Sequence, residues 1–561
     1  MTTHMLGRLV GNTGDPANLR MVLNSSFAGR RGEFVRVRHR EQEDGAATDV
    51  LARIVSISRS NVLYNSGLGQ AVTELELLPG AHVTGEQVMG KLEAIGFREA
   101  DTGQIKMPRR ALDPGAPVEP VDFQFLSAFY EFQEHSSLHI GNLVGYERGD
   151  TAVPVYLDVN RLVTEHLAVL AMTGSGKSYT VGRIIERLVA INNGTVVVFD
   201  PHGEYGRALQ GGQMRFNERP DELDDQRDRT VLPAIRETFT RLREAGAGIS
   251  IYSPQNASFR QKYAGVNQEL ALQFDHFEMD DLSEILPGLT EPQQRVLDVA
   301  IRYWIAHETT TPRDINRLRY YLGDGIDDVR QWDELSQAEA TALNGRSAAV
   351  ASMKLSRVLQ EAQSFYHSGL PGATDIYAMI GRPTDRRGRL VIVDLQGLSD
   401  TAKQVITALI SSEILRAASS KTDRIRPCFV VYEEAHNFAP AGEAAVSHRI
   451  IKKIAGEGRK FGVGFAVVSQ RPSKLDPDVT SQCNTLIAMR LRNPDDQRFI
   501  AKTSDMVSAA DLEQLPGLST GEALICGRSI PAPLLVRVGT KALIHGGESP
   551  EVLNVWGKFG G

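Results

Sequence analysis

Cysteine is nearly absent from this chain, and the three present, Cys428, Cys483 and Cys526, are widely spaced and odd in number. That excludes a disulfide framework and the paired spacing of a zinc site, and it fits a reducing cytoplasm. Long apolar runs are missing too. No window approaches the roughly 18 apolar residues that a spanning helix needs, and the polar start MTTHMLGRLVGNTGD has no apolar signal-peptide centre. The expectation is a cytoplasmic protein with no membrane partner. Nor is positive charge in excess: 62 Lys and Arg against 69 Asp and Glu give a formal net charge of -7. Any nucleic-acid partner must then be gripped by a local basic surface, not drawn in by the molecule as a whole.

What remains is an ordinary globular composition, 42% hydrophobic and 23% charged, spread over 561 residues. That length exceeds what one hydrophobic core normally organises, so several domains are expected. In residues 1–125, period-two runs such as Glu33–Arg38 and Val50–Ile57, broken by glycine-rich turns, predict a small β-barrel. The proline-rich LDPGAPVEP ending at Pro120 reads as a linker that closes this domain. From there strands alternate with helices. Apolar strands at Leu167–Leu170, Thr195–Phe199, Ile249–Tyr252, Leu390–Val393, Phe429–Tyr432, Gly464–Val468 and Leu486–Met489 predict an α/β core with a parallel sheet buried on both faces. The core spans 126–277 and 376–530, interrupted at 278–375 by a helical insertion in which the strand signal vanishes. Residues 531–561 are left as a terminal strand and an arm that docks on a neighbouring subunit.

Four motifs carry chemistry. The strand ending at Leu170 runs through Ala171 and Met172 into Thr173, Gly174, Ser175, Gly176, Lys177 and Ser178, then into a helix that opens with Tyr179. Strand, glycine turn and helix is the context of a P-loop: glycines let backbone N–H groups converge on phosphate oxygens, Lys177 neutralises the β- and γ-phosphates of ATP, and Ser178 reaches Mg²⁺. Ala171 stands where the usual pattern has glycine, and a methyl fits there only at negative φ. The second motif, FVVYEEAH, is an apolar strand ending in Glu433, suited to supporting Mg²⁺, and Glu434, suited to polarising the attacking water. Third, VVSQRP delivers Gln470 to the carboxyl edge of the sheet, where it senses the γ-phosphate, holds the water or caps the following turn. Fourth, EGRKFG places Arg459 and Lys460 beyond a helix expected over Val446–Ala455. Arg459 is a candidate to meet transition-state charge in the next subunit of a ring, or else a basic residue complementing a helix C-terminus. Two further strand-end acids, Asp200 and Asp394, read as turn formers.

Taken together, AMTGSGKSYT, VVVFDPHGEYG, FVVYEEAH, EGRKFG and VVSQRPSKL stand in the order of the HerA family of hexameric DNA-translocating ATPases, in the FtsK–HerA superfamily, and the chain resembles that family over nearly its whole length. The resemblance implies a RecA-like P-loop ATPase core with an N-terminal β-barrel, a helical insertion and a C-terminal arm bracing the adjacent subunit. It implies a homohexamer pumping double-stranded DNA through its channel, with ATP and Mg²⁺ between subunits. Thr173 to Tyr179 would bind nucleotide, Ser178 and Glu433 the metal, and Glu434 would activate water. Gln470 would read the γ-phosphate, while Arg459 and Lys460 would reach into the neighbour's site. Family members often carry A-R-E-G-R-[KR] here, whereas this chain has Gly456 in place of the first arginine. The resemblance further implies an effector on the barrel side: a NurA-type nuclease in DNA-end processing, or a nuclease or sirtuin-like protein in antiphage defence. The alternative is a P-loop assembly scaffold whose ATP binding organises an effector complex with little translocation. DNA-contact candidates are Lys452, Lys453, Arg490 and Arg492, with a solvated helix face as the competing reading of the lysines.

Overall fold

A computed structural model describes residues 5–544, apart from 24–29, 42–46, 62–85, 100, 131–136, 148–150, 213, 218–225, 247, 255–260, 273–285, 287, 309–313, 363–364, 366–373, 443–444 and 505–506. The distal arm, 545–561, lies outside the described residues. The chain divides into two compact units, one from Met1–Gln133, Asn142–Pro154 and Pro531–Leu534, the other from Glu134–Gly141, Val155–Ile530 and Leu535–Gly561.

The first unit holds seven strands: β1 (Gly7–Val10), β2 (Leu19–Leu23), β3 (Phe34–His39), β4 (Thr48–Asn61), β5 (Glu86–Arg98), β6 (Ile105–Lys106) and β7 (Pro117–Pro120). They pair in the order β2-β1-β7-β3-β4-β5-β6, and β2 also pairs with β5, so six strands close into a barrel. Period-two alternation supplies the interior: Leu19, Met21 and Leu23 of β2 point in, Arg20 and Val22 out. The long β4 and β5 slip register between Leu51 and Ala52 and between Ile54 and Ser56. Such bulges bend and twist a strand, which closure requires. The proline-rich stretch read as a linker is instead the barrel strand β7, paired with β1 and β3 through Val118. Its prolines occupy only the first and last positions, where a missing N–H removes little of the ladder.

The larger sheet has twelve strands: β8 (Ser137–Leu143), β9 (Pro154–Asp158), β10 (Leu167–Leu170), β11 (Thr195–Asp200), β12 (Ile249–Ser253), β13 (Asn267–Glu269), β14 (Arg389–Asp394), β15 (Cys428–Glu433), β16 (Val463–Ser469), β17 (Thr485–Ala488), β18 (Glu522–Gly527) and β19 (Leu534–Val538). Their order is β13-β12-β14-β11-β15-β16-β10-β17-β18-β19-β8-β9. The run from β13 to β17 is parallel, and β18 joins it antiparallel. Every residue of β10, β11, β15 and β16 is buried, as expected of strands covered by helices on both faces. Between β13 and β14 lie helices including Glu291–His307 and Gly345–Ala362, whose Trp304 and Leu355 belong to the same apolar core as the sheet residues Phe199 and Val430. The fold is thus α/β, a P-loop core with an N-terminal barrel and inserted helices. Among the described residues, no helix is long and apolar enough to cross a membrane.

One buried polar cluster fastens the C-terminal segment to the helix Lys177–Ala190. The Asp228 carboxylate accepts from Arg183 at 2.9 and 3.0 Å, from Arg187 at 2.7 Å and from the Thr540 N–H at 2.8 Å. Glu186 accepts from the N–H groups of Ala542 and Leu543, each at 2.7 Å. Burial alone would raise the Asp228 carboxyl, but the two guanidiniums and His139 hold it well below the usual range. Removing one member of a buried charge cluster leaves the rest unpaired, which typically costs about 3–5 kcal/mol. Asp228→Ala should lower stability by about that amount, read as a lower urea midpoint, whereas an unchanged midpoint would mean that the cluster is not structural.

Candidate functional site

The turn after β10 is built on two left-handed glycines, Gly174 at φ +75° and Gly176 at φ +101°, the latter capping the helix Lys177–Ala190. No side chain could adopt these angles without strain. Ala171, where the usual pattern has glycine, is not among the residues at positive φ, so its methyl is compatible with the backbone. The turn is held from β18's approach, where the Gly521 N–H donates to Ser175 O at 3.0 Å and Thr520 Oγ1 to Gly174 O at 3.3 Å.

Facing the turn, β15 ends in the two glutamates. Successive strand residues point to opposite faces, so Glu433 and Glu434 would diverge if the strand simply continued. It does not: Glu434 sits at φ +51°, ψ +48°, and both carboxylates meet the one ammonium of Lys177. Lys177 Nζ donates to Glu433 Oε1 and, at 2.9 Å, to Glu434 Oε1. All three groups are buried. Burial opposes the charge on Lys177, but the two carboxylates hold its pKa above the ordinary value. Burial likewise pushes Glu433 up, and Lys177 does not pull it all the way back. Glu434 resists burial and stays lowered, held by Lys177 and by the Gln470 N–H, which donates to its Oε2 at 3.3 Å. Gln470 itself accepts from Thr173 Oγ1, which ties the end of β16 to the P-loop.

Arg459 and Lys460 are elsewhere. The helix expected to stop at Ala455 runs on as His448–Phe461, through Gly456 and Gly458. Gly458 packs instead of terminating: a Cβ there would lie 2.5 Å from Val463 O. Arg459 pairs with Glu165 at 3.5 Å, and Arg528 approaches the same carboxylate at 3.7 Å. Glu165 precedes β10, whereas the P-loop follows it. At about 3.3 Å per residue, the four-residue strand keeps these two edges at least ~13 Å apart. Among the DNA-contact candidates, Lys452 is paired with Asp478, Arg490 is half-buried with its carbonyl accepting from the Met172 N–H at 3.0 Å, and Lys453 and Arg492 are exposed.

Residues 138–414 match the family model described as helicase HerA, central domain. A DNA double-strand break repair helicase HerA from Pyrococcus furiosus is 32% identical over 436 residues, covering 72% of each chain. The chain belongs to the HerA family. A probable helicase, MJ1565, from Methanocaldococcus jannaschii is 28% identical over 482 residues, 84% of this chain and 80% of that one. Among solved structures, a bacterial conjugative coupling protein, TrwBdeltaN70, aligns over 76% of this chain and 94% of its own at 13% identity, with a TM-score of 0.49.

In this HerA-family chain the geometry also recruits residues that the motifs left unassigned. Tyr205 donates its hydroxyl to Glu433 Oε2 at 2.6 Å. It is carried by a turn that Asp200 organises, one carboxylate accepting the N–H groups of His202, Gly203, Glu204 and Tyr205 at 2.8–3.3 Å. Burial, with Asp394 and Glu433 nearby, pushes Asp200 up to about 7. His436 Nδ1 lies 3.3 Å from Glu434 Oε2 and 3.1 Å from Ser469 Oγ. Asp394 accepts from Tyr263 at 2.9 Å and from the Gln396 N–H at 2.9 Å, a structural role. Only the DPHGEY spacing, an acid followed five residues later by tyrosine, hinted at the Tyr205 contact.

Lys177→Met leaves two buried carboxylates facing each other, which raises the folded pKa of Glu433 further and removes the cation that holds Glu434 low, so that burial and its neighbour push it up as well. A carboxylate with a raised folded pKa loses stability as pH climbs from the unfolded towards the folded pKa. The variant should therefore melt below the native protein, with a gap that widens from about pH 5 to about pH 8; a gap that is constant across that range would contradict the proximity.

Proposed function

We propose that this HerA-family ATPase is a ring-forming motor that couples ATP hydrolysis to movement along double-stranded DNA. The observation that carries the reading is the Lys177 ammonium held between Glu433 and Glu434 at the edge of the sheet where the parallel strands end, in a chain of this family. Relatives named as DNA double-strand break repair helicases supply the DNA side of the reading.

In the proposed mechanism Thr173, Gly174, Ser175, Gly176, Lys177, Ser178 and Tyr179 cradle the nucleotide, and Lys177 turns from the carboxylates to the β- and γ-phosphates. The oxygen-rich donor set of Ser178 and Glu433 fits Mg²⁺, which takes few protein ligands and completes its shell with phosphate and water. When bound, Mg²⁺ supplies charge neutralisation of the phosphates. Glu434, ionised and aimed by the Gln470 N–H, accepts a proton from the water that attacks the γ-phosphorus, while the bond from that phosphorus to the β-phosphate oxygen breaks and ADP leaves. Gln470, tied to Thr173, registers the γ-phosphate. Tyr205 keeps Glu433 turned towards the metal side.

Arg459 and Lys460 serve the neighbouring subunit's nucleotide in this reading. The separation of Arg459 from its own P-loop by the length of β10 supports a role in trans, as does its exposure on the outer face of its helix. A homohexamer working with an effector on its barrel side, a NurA-type nuclease in DNA-end repair or a nuclease or sirtuin-like protein in antiphage defence, follows from the family resemblance, as does a cytoplasmic location.

Glu434→Gln should keep ATP binding but lower turnover by about 10²-fold or more, measured with and without long duplex DNA. Retention of full biological activity by that variant would favour the assembly scaffold. Mixing Arg459→Ala with Lys177→Ala protein should restore part of the activity that each lacks alone, because a mixed interface pairs an intact P-loop with an intact arginine. Additive inactivity in the mixture would place both residues in one protomer's site.

A further inference from the structure

At the edge where β11 and β14 begin, opposite the edge that carries Lys177, arginines gather around one loop. Residues 382–389, RPTDRRGR, lead into β14, and the glycine is fitted closely: a Cβ at Gly388 would lie 2.2 Å from Val189 O and 3.2 Å from Gly194 O. The loop is thereby seated on the last turn of the helix Lys177–Ala190. Arg426 clamps the same junction, donating to the carbonyls of Arg387 and Asn193. Two adjoining cavities of about 350 and 570 Å³ open here and share Leu242, Ala245, Arg387 and Gly388; Arg386 lines the first and Arg241 the second.

Much of this charge is uncancelled. Arg389 is taken by Asp385 at 2.8 Å. Among the described residues Arg241 pairs with the exposed Glu237 alone, at 3.4 Å, a surface contact worth little. Arg426 spends its donors on carbonyls, with Asp385, already held by Arg389, as the carboxylate that acts on it, and Glu244 is the one acid lining the second cavity. Arg386 and Arg387 are exposed and make no ion pair or side-chain hydrogen bond with any described residue. Guanidiniums from three separate segments, laid along an open groove, fit a repeating row of phosphates better than one compact anion, and the planar fork matches phosphate geometry. In a chain of net charge -7, such a local grip is what a phosphate polymer requires.

The geometry points to a duplex-DNA backbone contact at this groove, with Arg386 and Arg387 as its free cations and Arg241 and Arg426 beside them. The inference rests on the motor reading above and adds where the motor holds its track. It also supplies a linkage. The helix Lys177–Ala190 is 14 residues long, about 21 Å at 1.5 Å per residue. Its first residue is the phosphate-binding lysine and its last turn bears the arginine loop, so one rigid element joins nucleotide and DNA.

The test uses the full chain, with fluorescence anisotropy on a long labelled duplex over a salt series and ATP turnover with and without DNA. Each lost phosphate contact flattens the slope of log affinity against log salt by about 0.9. Arg386→Gln should flatten it by about 0.9 and the double variant Arg386→Gln/Arg387→Gln by about 1.8, with affinity falling on the order of tenfold or more near 0.1 M salt. DNA stimulation of hydrolysis should fall with it, while DNA-free hydrolysis, to which neither arginine contributes a contact, stays at the native rate. Native affinity and slope in both variants overturn the groove and leave it to an acidic protein surface. Absence of duplex binding by the unmodified chain overturns the motor reading as well.

Discussion

The site hangs on one ammonium between two carboxylates. Three buried charges that sum to minus one are unstable unless each oxygen finds a donor, and the surrounding structure supplies them. Glu433 takes Lys177 on one oxygen and Tyr205 on the other. Glu434 takes Lys177 on one and the Gln470 N–H on the other. The left-handed residue at the end of β15 brings the acids to one side, Asp200 folds the turn that delivers Tyr205, and Thr173 returns Gln470 to the P-loop. Four segments remote in sequence therefore converge on a single cation, and the strained backbone at Glu434 persists because every neighbour requires it.

The sequence made the chemistry legible wherever a motif carries its own geometry. The glycine turn expected between an apolar strand and a helix is present, with Gly174 and Gly176 left-handed, and the seven expected core strands lie within a residue or so of those observed. Signals failed where side-chain pattern and backbone state part company. Strand β13, Asn-Gln-Glu, has no apolar residue, and β8 is broken by His139 and Gly141. Two glycines hid the last turn of the His448–Phe461 helix, because propensity penalises glycine inside helices; packing against Val463 demands the second, Gly458, while Gly456 faces open space. The prolines of β7 mimicked a linker for the same reason: their position within the strand, invisible in one dimension, decides whether a missing donor matters. The buried Asp228 cluster joins residues more than three hundred positions apart and had no local signature at all.

That cluster gives the P-loop helix a second role. Its outward face is fastened by Arg183, Glu186 and the Tyr179 hydroxyl, which accepts the Lys541 N–H at 2.8 Å. The end of the Lys541 side chain crosses the helix at Gly182, where a Cβ would lie 2.8 Å from Lys541 Cε. The helix is consequently held at its start by the phosphate turn, along its side by the C-terminal segment and at its end by Gly388. An element so constrained cannot rotate independently of its attachments.

The electrostatics of the two sheet edges bear on the proposed ring. The edge where strands begin presents Arg459 and Arg528, 60% exposed each, over a single carboxylate, Glu165. The edge where strands end holds Glu433 and Glu434, both buried, over a single ammonium. The first group of three sums to plus one and the second to minus one. Two copies meeting through like edges would oppose like charges, whereas a head-to-tail contact sets the positive edge of one over the carboxylates of the next. Repeated, a head-to-tail contact closes into a ring if its rotation allows. Nucleotide phosphates entering the negative edge deepen its charge and strengthen the attraction to the neighbour's arginines, and phosphate release weakens it. Within the proposed assembly, ATP would be the ligand that tightens the interface, and the arginine that lies ~13 Å or more from its own P-loop would be the group through which one subunit feels the next one's nucleotide.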